Sequence, residues 1–359
     1  MSQKDIYFMK KAINLAKKGT GETSPNPLVG AVIVKNNKII GTGFHKRCGL
    51  AHAEINALKK AGNSAKGATL YINLEPCSHF GKTPPCVDEV IKAGIKRVVI
   101  AIKDPNPQVW GKAIRKLKKQ KIEVSLGVCK KEALELNEIF LKNMKESLPF
   151  VVAKVAQSLD GKIATKAGQS KWITTKSSRQ FSYQLRDKYD AVLIGAETLR
   201  KDNPRLNGLK KIPYKIIISS DLNLPKKSYL FKNFPSNTVV FTSHKHKSKN
   251  KLPPEVKVIS LRMTKRGFSL KQILKKLYSF GIMSVFIEGG SETLGRFFQQ
   301  KLIDKVYFFI APMIFGGKDS LTSIGADGFS TIKESAKIKN IEIEKIDQDI
   351  LISGYPSQQ

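Results

Sequence analysis

The sequence predicts an α/β protein of two domains, and three observations carry that reading. Its 359 residues, 41% of them apolar, exceed what one hydrophobic core ordinarily organises. Short apolar runs of strand length alternate with stretches of helical periodicity, the pattern of sheets covered by helices. Near the middle, Ser147-Leu148-Pro149 breaks a helical stretch just before a new strand, which sets the domains at 1–147 and 148–359.

In chain order, Ile6, Met9, Ile13 and Ala16 share one face after Ser2 and Asp5, so an amphipathic helix opens the chain and Gly19 ends it. Apolar runs at 29–34 and 38–42 flank Asn36-Asn37 and read as a hairpin. Strands follow at 68–72, 97–102 and 122–126, with helices at 52–61, 84–93 and 112–120 and a further helix over 130–145. The second half opens with a strand from Phe150 to Ala156. It continues with strands at 190–194, 214–218, 238–242, 283–287 and 305–310, and helices at 176–188, 269–279 and 291–300. No motif repeats between the halves.

Lys and Arg number 63 against 29 Asp and Glu, a net charge of +34. Such a balance suits either nucleic acid or anionic substrates. The lysines are spread through both halves, without the localised patch a nucleic-acid footprint requires, and the densest basic stretch, 244–251, reads as a solvated loop. No apolar run reaches the roughly 18 residues that span a bilayer, and Met1-Ser2-Gln3-Lys4-Asp5 has no apolar leader, so a cytoplasmic protein is expected. Cys48, Cys77, Cys86 and Cys129 are too few for a disulfide scaffold of this length.

The chemistry concentrates in three places. His52-Ala53-Glu54 opens a helix, Pro76-Cys77 follows a strand with Cys77 at an apparent helix start, and Thr83-Pro84-Pro85-Cys86 places Thr83 as N-cap and Pro84 at the first helical position. One imidazole and two thiolates neutralise Zn²⁺ and leave a fourth tetrahedral position for water. Such a water has its pKa lowered to about 7, and Glu54, not itself a ligand, would take its proton and return it to a departing amine. The eight residues between Cys77 and Cys86 exceed the two of the general zinc-deaminase signature. A closed structural zinc site with Cys48 as fourth ligand is the alternative, as is Cys48 packing as a small hydrophobe, the role expected of Cys129.

These residues, with Pro25-Asn26-Pro27-Leu28-Val29-Gly30, His45, Glu75-Pro76-Cys77-Ser78-His79 and Asp104-Pro105-Asn106-Pro107, resemble the bifunctional riboflavin-biosynthesis deaminase/reductase family, whose longer cysteine spacing they share. The likeness continues through Ala153-Lys154, Ser158-Leu159-Asp160-Gly161-Lys162, Trp172-Ile173-Thr174, Asp202-Asn203-Pro204 and Glu288-Gly289-Gly290. It implies a three-layer α/β/α domain of cytidine-deaminase fold, followed by an α/β domain like dihydrofolate reductase. It also implies two reactions: deamination of 2,5-diamino-6-ribosylamino-4(3H)-pyrimidinone 5′-phosphate, then NADPH reduction of the ribosyl to the ribityl chain.

By the same resemblance Asn26, His45, His79 and Lys82 contact the pyrimidine or its phosphate, which suits an amide reading a ring edge and cations meeting an anion. Lys154, Asp202 and Glu288, beside strand ends where an α/β sheet opens its cleft, are implied to be catalytic or ligand-binding. Arg186 and Leu206 match substrate positions. Ala156, Trp172, Thr198 and Asp202 match cofactor positions, and Ser170 a position at one or the other. Gly289, Gly290, Ser291 and Thr293 follow a strand and precede a helix, where backbone N–H groups face a pyrophosphate or simply make a tight turn. They do not form a Gly-x-Gly-x-x-Gly fingerprint. The family's later arginine for the substrate phosphate has no counterpart in Arg205-Leu206-Asn207-Gly208-Leu209-Lys210, so Arg205 or Lys210 would substitute. Zn²⁺, NADPH and a small pyrimidine ribonucleotide are the expected ligands, with a homo-oligomer compatible. Two other readings remain: a zinc deaminase acting on a nucleic-acid base with a non-reductase second domain, and a non-catalytic zinc-stabilised binding protein.

Overall fold

A computed structural model describes residues 2–78, 85–107, 109–245, 251–265 and 267–357. The chain divides into two units, Met1–Ser147 and Leu148–Gln359.

In the first unit α1 (Gln3–Ala16) begins at a capping box: the Ser2 hydroxyl accepts the Asp5 N–H at 3.1 Å, and the Asp5 carboxylate faces the Ser2 N–H. The hairpin of β1 (Gly30–Lys35) and β2 (Lys38–Phe44) turns through Asn36 and Asn37 at φ 50° and 60°, the left-handed pair that a two-residue hairpin loop needs. Then come α2 (Ala53–Ala61), β3 (Thr69–Leu74), α3 (Cys86–Lys92), β4 (Arg97–Ile102), α4 (Lys112–Lys119), β5 (Glu123–Leu126), α5 (Lys130–Leu136) and α6 (Glu138–Glu146). The sheet order is β2-β1-β3-β4-β5, with β1 antiparallel to both neighbours and β3, β4 and β5 parallel.

Alternation along the strands splits the core in two. Ala31, Ile33, Leu70 and Ile72 pack with Ala53, Ala57, Val87 and Leu117 of α2, α3 and α4, while Val32, Tyr71 and Val99 pack with Met9, Ile13 and Ala133 of α1 and α5. This is the three-layer arrangement expected. One expected helix is two: the chain breaks at Asn137, whose buried amide accepts the Leu28 N–H at 2.8 Å and donates to the Leu28 carbonyl at 3.0 Å.

The second unit contains β6 (Phe150–Ser158), α7 (Lys176–Arg186), β7 (Ala191–Gly195), α8 (Ala196–Asp202), β8 (Tyr214–Ser219), α9 (Tyr229–Asn233), β9 (Thr238–Ser243) and β10 (Lys257–Leu261). After these come β11 (Met263–Thr264), β12 (Gly267–Phe268), α10 (Leu270–Ser279), β13 (Ser284–Glu288), α11 (Ser291–Gln299), β14 (Lys305–Ala311), β15 (Ile338–Ile346) and β16 (Asp349–Pro356). The main sheet runs β10-β9-β8-β7-β13-β6-β14-β16-β15. Its strands are parallel from β10 to β14, and β16 is antiparallel to β14 and β15. Because β13 inserts between β6 and β7, the C-terminal ends of all three strands open onto one edge, where α/β sheets bind ligands. Among the described residues no helix is long and apolar enough to cross a membrane.

Candidate active sites

In the first unit the site is assembled on the N-terminus of α2, the end of β3 and the start of α3. Gly43 on β2 allows the first of these, since a Cβ there would lie 2.2 Å from the Ala53 carbonyl, so only glycine lets α2 seat so closely. His52 is the N-cap of α2, and Glu54 lies buried in its first turn. Cys77 lies in irregular chain after β3, not at a helix start. The helix bearing Cys86 begins at Cys86 itself with Pro85 as N-cap, so the capping expected of Thr83 and Pro84 is corrected, and those two residues lie outside the described ones.

The imidazole Nδ1 of His52 lies 3.2 Å from Cys86 Sγ and 3.7 Å from Cys77 Sγ, and all these donor atoms fall within 4.8 Å of one another. A tetrahedral zinc with Zn–N about 2.1 Å and Zn–S about 2.3 Å has a donor-to-donor edge of about 3.6 Å, so the set fits the ion. The Cys86 N–H donates to Cys77 Sγ at 3.2 Å. Hydrogen bonding from the Cys86 side chain, then from His52 and that N–H, holds Cys77 down to about 4 as a thiolate, and the same pairing pushes Cys86 up. Hydrogen bonding to Cys77 raises His52. Burial, then the Cys77 charge, pushes Glu54 up to about 7. Cys48 is exposed in the turn at Arg47–Leu50, so it neither packs as a hydrophobe nor joins the donors.

Asn26 and His45 stand beside this triangle. The His45 ring meets the His52 ring edge-on at 5.2 Å, its Nε2 lies 3.1 Å from Asn26 Nδ2, and burial lowers its pKa. The segment bearing Asn26 is pinned by Asn73, which accepts the Gly30 N–H and donates to the Leu28 carbonyl, both at 2.8 Å. Glu75 accepts the N–H groups of Gly111 at 2.9 Å and Ile114 at 3.3 Å, tying the chain before Cys77 to the start of α4. The sequence reading missed the roles of Asn73, Asn137 and Glu75. Its usable signal was an amide inside the apolar run Tyr71-Ile72-Asn73-Leu74. His79 and Lys82 lie outside the described residues.

In the second unit Glu288 at the end of β13 is in register with Lys154 on β6. Its carboxylate is gripped by both Arg186 Nε and Nη2, the latter at 2.8 Å, with Lys154 Nζ at 3.9 Å. Burial pushes Glu288 up, but the charges of Arg186, Lys154 and Lys215 hold it below the ordinary carboxylate range. Burial lowers Lys154. Arg186 also donates to the Asn207 carbonyl at 2.9 Å, next to Leu206, which is buried at φ 55°.

One residue on, Gly289 and Gly290 turn at φ 77° and 79° into α11. A Cβ on Gly290 would stand 3.1 Å from Thr293 Oγ1 and 3.5 Å from Thr198 Oγ1, so both hydroxyls converge on the glycine turn beside the first N–H groups of α11, which have no partner within their own helix. That cradle fits a pyrophosphate. Ser291 contributes only its backbone there, because its buried hydroxyl faces Gly325. Asp202 receives the Ser170 hydroxyl at 3.4 Å. Ala156 lies half-buried on β6 opposite Phe309. Trp172 is 67% exposed under the Arg179 guanidinium, and exposed Arg205 lies over Tyr229. Exposed Lys210 donates its backbone N–H to Asp187 at 3.0 Å.

Comparison with known proteins follows the same division. The family model for the cytidine and deoxycytidylate deaminase zinc-binding region matches residues 2–102, and that for the RibD C-terminal domain matches 149–352. The chain is 45% identical to the riboflavin biosynthesis protein RibD of Aquifex aeolicus, over 97% of both chains, and 34% identical to that of Escherichia coli, over 97% of this chain and 98% of the relative. Among solved structures it resembles the diaminohydroxyphosphoribosylaminopyrimidine deaminase/5-amino-6-(5-phosphoribosylamino)uracil reductase of Thermotoga maritima, at 38% identity and TM-score 0.88 over 99% of both chains. Acinetobacter baumannii RibD, form 1, gives 37% identity and the same TM-score, 0.88, over 99% of both.

Proposed function

The chain belongs to the RibD family of riboflavin-biosynthesis proteins, a deaminase joined to a reductase, and on that premise we propose which residues carry each reaction. It is a bifunctional enzyme, a hydrolase and an NADPH-dependent oxidoreductase, and the nucleic-acid alternative is not favoured. Residues 1–147 deaminate the diaminopyrimidine ribosyl phosphate, and residues 148–359 reduce the ribosyl group of the deaminated product.

His52, Cys77 and Cys86 hold Zn²⁺, which when bound supplies Lewis-acid chemistry at an open coordination position. Glu54, buried two residues from His52, takes the proton of the attacking water and gives it to the leaving amine. Asn26 and His45, hydrogen-bonded beside the donors, orient the ring, with His79 and Lys82 assigned to the same substrate. In the second unit Thr198, Thr293 and the Gly289-Gly290 turn hold the NADPH pyrophosphate, with Ser291 offering its N–H and Ala156, Trp172 and Asp202 along the rest of the cofactor. Lys154 and Glu288 handle the proton that must move when the ribosyl ring opens, with Arg186, Leu206 and Ser170 against the sugar. Arg205 remains the candidate for the substrate phosphate. The free state of Cys48, Cys77, Cys86 and Cys129 suits a reducing cytoplasm.

The observation that carries the assignment is the donor triangle with a buried acid two residues along the chain. Glu54→Gln tests it. Zinc content should stay at the wild-type level while ammonia release falls about 10²-fold or more. A variant that releases ammonia at the wild-type rate would remove Glu54 from the reaction. NADPH oxidation by the deaminated substrate tests the second half.

A further inference from the structure

Lys215 is the largest of the fully buried side chains, and it lies on β8, between β7 and β9 in the sheet. A lysine is almost never placed there without a partner. Its Nζ donates to the Leu206 carbonyl at 2.9 Å and stands 5.2 Å from the centre of the Phe234 ring. The next carbonyl, that of Asn207, receives Arg186 at 2.9 Å. Two cations from different elements, the buried Lys215 of β8 and the half-buried Arg186 of α7, therefore grip consecutive carbonyls of one turn, held at a φ of 55° that leucine rarely adopts. Arg186 also grips Glu288, which faces Lys154. The turn, Arg186, Glu288 and Lys154 are thus one connected unit, and Lys215 anchors its far end.

We propose that Lys215 is a positioning residue of the reductase site, setting the Leu206-Asn207 turn and, through it, the Arg186 fork on Glu288. The inference rests on the reductase assignment above. Lys215 touches neither substrate nor cofactor, so its loss leaves the cradle at Gly289-Gly290 intact and changes how the pyrimidine substrate is held. Burial, with the Arg186 charge, already brings the ammonium down to about 7, a sign of how little else solvates it.

The test uses full-length, zinc-loaded wild type, K215M, K215Q and K215R, with the deaminated pyrimidine phosphate and NADPH. K215M should raise KM for the pyrimidine about tenfold or more, with kcat moving less. NADPH affinity, by titration, and ammonia release should stay within about twofold. K215R, which keeps a charged donor, should recover most of the loss. An unchanged KM in K215M overturns the proposal. So does loss of NADPH binding in both K215M and the milder K215Q, because Lys215 would then be a residue of the fold alone. A wild-type chain that oxidises no NADPH would instead overturn the reductase assignment, and this inference with it.

Discussion

In three buried carboxylates burial pushes the acid up, and the partner decides whether that push is opposed. Glu54, buried beside a thiolate, is pushed up; Glu288 faces Arg186 and Lys154 and is held down; Asp5 is held down chiefly by its hydrogen bonds from Arg97 at 2.8 Å and 3.2 Å. Asp5 also accepts the Tyr71 hydroxyl at 3.0 Å, which with burial pushes that phenol up to about 12. A carboxylate whose folded pKa lies below its unfolded value stabilises the fold at every pH above the unfolded value, near 4, and loses that contribution as pH falls through the folded one. Asp5→Asn should therefore destabilise the first unit by about 2–4 kcal/mol near pH 7. The gap in melting temperature from wild type should hold down to about pH 5 and shrink below about 4. A gap that stays constant to pH 2 would mean that the amide fails through geometry and not charge.

At the scale of elements, α2 carries the imidazole and the acid, and its seat is made by Gly41 and Gly43, where a Cβ would come 2.4 Å from the Ala57 carbonyl and 2.2 Å from that of Ala53. Gly43→Ala should cost about 1–3 kcal/mol of stability and lower zinc occupancy, because the displaced end of the helix is the one that bears His52. Metal analysis of the variant checks this, and full occupancy would show that the seat is not needed. The sequence made α2 legible through its periodicity and the hairpin through Asn36-Asn37, since both signals are local. It misplaced a helix start at Cys77 and ran α5 into α6, since these depend on distant partners: Asn137 leaves helical geometry to bind Leu28, more than a hundred positions away. Lys215 was hidden for the same reason. A lysine in the run Tyr214-Lys215-Ile216-Ile217-Ile218 reads as the exposed face of a strand until the sheet places Leu206 above it.

Over the whole molecule, the hydrophobic clusters respect the division at Ser147: those around Ile33 and around Met9 draw on the first unit, and those around Phe286's neighbour Ile287 and around Leu230 draw on the second. The order of motifs made the two chemistries readable in sequence, whereas the ion group of Lys154, Arg186 and Glu288 needed the insertion of β13 between β6 and β7 to bring residues from three distant segments together. That separation has a measurable consequence. The zinc donors all come from residues 52–86, and no zinc donor set is found in the second unit among the described residues. A strong chelator should strip the metal and abolish ammonia release, because without it neither the water nor Glu54 has a charged centre to work against. NADPH oxidation by substrate that has already been deaminated should continue at no less than about half its rate, since cradle and ion group are built from their own hydrogen bonds. Adding Zn²⁺ back should restore ammonia release alone. If chelation stops both reactions equally, the reductase half depends on the metal for its fold or its chemistry, and the division of labour drawn from the two cores fails.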